Sequence, residues 1–82
     1  MNKEIAIMAT GIIKFFDPVK GAGIIQPDFR GDNLYLEVSQ VMMDIPEYLP
    51  PGQRVSYIRA IGVNGLQAQC IRLLAPLYNV QD

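Results

Sequence analysis

Turn residues punctuate this chain at short intervals. Short β-type runs at 11–16, 23–26, 33–38, 54–61 and 66–74 are separated by clusters of Gly, Pro, Asp and Asn, the residues that supply turn dihedrals. Nowhere do apolar residues keep a helical period over a long segment. The breaks are Asp17-Pro18 with Lys20-Gly21, then 27–32, then the longer 40–52, then 62–65. Five strands with one long connection between the third and fourth fit a small closed or partly open barrel, which buries one apolar face and leaves few free edges. A short helical turn is expected in that connection, around 39–43.

Composition narrows the class. At 82 residues, 50% apolar and 18% charged, the chain is globular, but there is room for one core only. Cys70 is the single cysteine and there is no histidine, so neither an internal disulfide nor a Cys/His zinc site staples the fold. No cofactor, catalytic residue or metal site is expected. No signal peptide or long apolar span is visible, and the expected location is the cytoplasm. A net charge of −1 argues against duplex DNA binding by phosphate neutralisation alone. It leaves single-strand binding open, because stacking contributes roughly 1–3 kcal/mol per base without needing charge.

Ordered short motifs then suggest a family. Thr10-Gly11-Ile12-Ile13-Lys14-Phe15-Phe16-Asp17 resembles the TGxVKWFN opening of bacterial cold-shock domains, and Lys20-Gly21-Ala22-Gly23-Ile24-Ile25 resembles their KGFGFI. Leu34-Tyr35-Leu36-Glu37-Val38-Ser39 lies where that family has VFVHFS, Gly52-Gln53-Arg54-Val55-Ser56-Tyr57 is close to GQKVSF, and the stretch from Gly65 to Ile71 sits at GPxAxNV. The resemblance covers 10–74, with an N-terminal extension at 1–9 and a C-terminal tail at 75–82. It implies an all-β, five-stranded antiparallel OB-fold barrel that stacks single-stranded RNA or DNA on aromatic rings of one face, and it implies a binding protein rather than an enzyme.

Carried over position by position, the implied binding residues are Lys14, Phe15, Lys20 and Tyr35. Several others depart from the pattern. Ala22 and Ile24 stand where phenylalanines belong, Glu37 replaces a histidine and Val38 a phenylalanine. Pro46 and Asn64 fall where the family often has an aromatic and a basic residue. Losing three or four stacking partners at ~1–3 kcal/mol each weakens binding by orders of magnitude unless other residues compensate. Glu37 adds repulsion toward phosphate. The resemblance therefore implies a single-strand binder with a weakened face.

Strand alternation offers a second reading. With Ile13, Phe16, Ile25, Leu34 and Leu36 inward, Phe15, Ile24, Tyr35 and Glu37 point outward. Ala22, Ile24 and Val38, joined by Ile58 of the fourth strand, form a candidate surface for a homodimer or a protein partner. The weak alternation at 4–8 suits either an added edge strand or a disordered tail. Elsewhere the plain readings prevail. The glycines of Lys20-Gly21-Ala22-Gly23 mark a turn and a curved strand, because no Gly-Lys-Ser/Thr ending or helix follows. Asp28, Asp32, Asp44 and Glu47 read as turn residues and solvated charge. Cys70 reads as a small buried residue, and Met42 and Met43 as packing. Phe29 and Tyr48 are loop aromatics able either to stack a base or to cover a barrel end.

Overall fold

The computed structural model describes residues 8–41 and 49–74. Among the described residues five strands form, β1 (Ala9–Asp17), β2 (Ala22–Pro27), β3 (Leu34–Glu37), β4 (Arg54–Gly62) and β5 (Gly65–Leu73), with one 3-10 turn at Val38–Gln40 after β3. They close into a barrel in the order β1-β2-β3-β5-β4. The fold is an all-β, OB-like barrel. Four of its five seams are antiparallel, as the sequence leads one to expect; β3 meets β5 in parallel, at Tyr35 opposite Gln67.

Burial follows the expected alternation. Ile13, Phe16, Ile25, Leu34 and Leu36 all face the core, joined by Leu49, Val55, Tyr57, Ala68 and Ile71. Fully burying an aliphatic side chain of this size contributes about 1.5–3 kcal/mol, so this one cluster supplies most of the favourable energy of a chain without staples. Ile13 and Phe16 lie three apart, which strict alternation forbids on one face. A bulge between Ile13 and Phe15 resolves the conflict by turning both Lys14 and Phe15 outward.

Close backbone approach explains one glycine. A Cβ at the buried Gly23 would collide with the carbonyl oxygen of Phe15, so only glycine lets β2 lie this close to β1 at the bulge. Gln53 holds the entry to β4. Its Nε2 donates to the carbonyls of Arg54 (2.9 Å) and Leu74 (2.7 Å), which satisfies a side chain buried to 1% exposure.

Three local departures from the sequence reading have clear causes. The 3-10 turn begins at Val38 rather than Ser39, and residues 42–48 lie outside the described residues. Val38 packs against the core cluster instead of joining the outer face, because the chain bends there and its N–H donates to the carbonyl of Gly21 (2.9 Å). Cys70 is half-buried with φ of 51°, the left-handed region, where β5 gains a residue against the Ser56 to Ile58 stretch of β4.

Candidate nucleic-acid interface

Register assembles the outer face. Phe15 of β1 is paired with Ile24 of β2, Ile24 with Tyr35 of β3, and Tyr35 with Gln67 of β5, so these side chains stand in one row across four strands. Phe15 is 56% exposed, while Ile24 and Tyr35 are half-buried. Directly paired side chains sit about 5 Å apart, so two rings flank one aliphatic side chain where a continuous aromatic surface would otherwise run. The parallel row beside it joins Asp17, Ala22 and Glu37, and supplies two carboxylates and no ring.

The two lysines are placed by different local devices. Lys14 projects at the β1 bulge beside Phe15. Lys20 sits in the β1–β2 turn, which Asp17 caps: its Oδ1 accepts from the N–H groups of Val19 (2.9 Å) and Lys20 (3.3 Å), and its carbonyl accepts from the N–H of Gly21 (2.8 Å). Both lysines are exposed. With Asp17 and Glu37 on the same face, the four charges cancel.

The sequence-derived sets are thus divided by the fold. Lys14, Phe15 and Tyr35 share the face with Ala22 and Ile24, and Lys20 stands in the turn at its edge. Val38 has turned to the core. Ile58 is half-buried at another part of the barrel, where it lines a cavity with the β2–β3 loop. Pro46, Asp44, Glu47, Tyr48, Met42 and Met43, like the two tails, lie outside the described residues.

Gln67 was not singled out in the sequence. Its position across from Tyr35 follows from the β3–β5 seam, a long-range contact that local pattern does not reveal. Asp28 is another residue whose role pattern hid. Rather than a solvated turn residue, it receives both guanidinium nitrogens of Arg54 (2.6 and 2.7 Å) and the hydroxyl of Thr10. These hydrogen bonds, from Arg54 first and Thr10 second, hold its carboxyl at a pKa of about 2. The β2–β3 loop is thereby tied to β1 and β4. Among the described residues no group of three or more His, Cys, Asp or Glu side chains is arranged to hold a metal ion, and no helix is long and apolar enough to cross a membrane.

A closed five-stranded barrel of OB type, with two rings and a lysine on its β1–β3 face, defines the architectural class. The family model "'Cold-shock' DNA-binding domain" matches residues 9–74, and the chain belongs to the cold-shock domain family. It is similar to the cold shock-like protein CspA of Bordetella pertussis, at 37% identity over 67 residues that span 82% of this chain and all of that one. CspA of Stigmatella aurantiaca is 40% identical over 65 residues, covering 79% of this chain and 96% of its own. CspD of Vibrio cholerae is 38% identical over 64 residues, covering 78% and 84%. Among solved structures, drosophila Unr CSD456 superposes with a TM-score of 0.70 at 22% identity, over 93% of this chain and 30% of that chain, a likeness of fold alone.

Proposed function

We propose that this protein binds single-stranded RNA or DNA on the β1–β3 face with reduced strength, as a cytoplasmic binding protein and not an enzyme. The observation that carries the reading is the single row in which Phe15 and Tyr35 stand on either side of Ile24, with Lys14 projecting beside Phe15. Two rings support two stacked bases at ~1–3 kcal/mol each. Two lysines support a shallow salt dependence, since each phosphate contact to a single strand contributes a slope of about 0.7.

Glu37 limits this face. It is exposed, unpaired among the described residues, and directly opposite Ala22. Titration of fluorescently labelled oligo-dT and oligo-U at low and moderate salt tests the reading. Saturable binding, weakened by salt and strengthened in Glu37→His, is expected; indifference to the charge at 37 in a folded protein argues against this face.

A second reading, self-association or a protein partner, is favoured by the aliphatic side chains left in water. Ile61 is 79% and Val63 99% exposed at the β4–β5 hairpin, apart from the half-buried Ala22 and Ile24. A molecular mass that rises with protein concentration supports it, and a constant monomer mass counts against it.

A further inference from the structure

Beyond the β1–β3 face, the barrel has an apolar cavity of about 700 Å3 at the end where β1 begins and the β2–β3 loop turns. Its size lies in the range of small-molecule sites, and its walls include Met8, Phe29, Tyr57 and Ile58. We propose that this cavity takes one nucleotide of the bound single strand, with its base against Phe29 and Ile58 and its phosphate on Arg30 and Arg59. The proposal rests on the reading of the protein as a single-strand binder and adds a subsite remote from the Phe15 row.

Three observations converge there. Phe29 is an aromatic ring left 84% exposed, a stacking surface that the loop offers to solvent. Arg30 and Arg59 line the same cavity and have no ion-pair partner among the described residues; Asp32 is the one carboxylate on its wall, so the rim is net positive while the β1–β3 face is neutral. A planar guanidinium both stacks on bases and grips phosphate oxygens. Finally, the hydroxyl of Tyr57 is buried with no hydrogen-bond partner among the described residues, and it lies within electrostatic reach of Arg59 and Asp28, at this end of the barrel. Burial pushes its pKa up.

Reach is consistent with one continuous ligand. From Phe15 to Thr10 along β1 is roughly 15 Å at the rise of a strand, and OB barrels accommodate about 4–16 nucleotides. The ligand chemistry, a base carrying a phosphate, is shared by a strand and by a free mononucleotide.

The test is a titration of the 15N-labelled full chain with heptathymidylate and, separately, with thymidine monophosphate, followed by amide shifts and by affinity. Heptathymidylate is expected to move the signals of residues 29–32 and 58–59 together with those of the face. Phe29→Ala with Arg59→Gln is expected to weaken binding at least fivefold and to lower the salt slope; both side chains are exposed, so the fold is retained. Shifts confined to the Phe15, Ile24 and Tyr35 region, with unchanged affinity in that double variant, would overturn the cavity site and leave the proposed function standing. Shifts in the cavity with a silent face would support the site and overturn the face. Cavity shifts with thymidine monophosphate alone would replace the strand by a free nucleotide, and no shift with either ligand would sink both readings.

Discussion

Ile24→Phe places a ring where the row across the barrel lacks one. Phe15 and Tyr35 are its direct cross-strand partners, so the new side chain lies about 5 Å from a ring on each side and completes a three-ring surface. Position 24 is half-buried on the outer face while Gly23 and Ile25 beside it point inward, so the larger ring extends over the sheet without entering the core. One added stacking partner contributes ~1–3 kcal/mol, which tightens single-strand binding roughly five- to 150-fold. Aromatic cross-strand pairs also add about 0.2–1 kcal/mol each to the sheet, so the thermal midpoint should hold or rise. Anisotropy of a labelled heptanucleotide, run beside circular dichroism melting, reads both quantities. An unchanged affinity in a variant with an unchanged melting curve refutes the argument, because it means bases do not lie on this row.

Further expectations concern the scaffold. Gly23→Ala drives a methyl group into the Phe15 backbone and should destabilise by about 1–3 kcal/mol, lowering the thermal midpoint by roughly 4–8 °C for each kcal/mol. Tyr57→Phe removes a buried hydroxyl that has no partner among the described residues and should stabilise the free protein by about 1–3 kcal/mol in denaturant unfolding. Asp28 has a folded pKa of about 2 against an ordinary 3.8, so its contribution is full above pH 3.8 and is lost as pH falls toward 2. The wild-type thermal midpoint should therefore fall more steeply between pH 4 and 2 than that of Asp28→Asn. Cys70→Gly should be neutral or stabilising by up to about 1 kcal/mol and Cys70→Val clearly destabilising, because φ is 51° at that position.

The barrel was legible because turn residues and alternation agree along most of the chain. The inward set from Ile13 to Leu36 could be chosen from polarity and motif order, whereas the bulge that lets Ile13 and Phe16 share a face emerges only in the β1–β2 register. What stayed hidden depends on contacts between distant residues. The pairing of Asp28 with Arg54 joins positions 26 apart, and nothing in the Pro27-Asp28 turn announces it. Val38 reads as the outward end of β3 until the backbone bends beside Gly21. Ile58 looks outward by alternation, and in the fold it is half-buried on the wall of a cavity that the β2–β3 loop also lines. The company that Arg59 keeps with Arg30 and Phe29 exists only in three dimensions.

The proposed function requires single-stranded nucleic acid to lie across the Phe15 and Tyr35 rings of the β1–β3 face. Calorimetric titration of heptathymidylate and heptauridylate into the wild type and the Phe15→Ala, Tyr35→Ala double variant, at low salt, tests it most directly. Weak, saturable binding by the wild type is expected, with a loss of roughly 2–6 kcal/mol in the double variant that removes measurable heat. Equal binding by both proteins, or no binding by a folded wild type at high concentration, would contradict it.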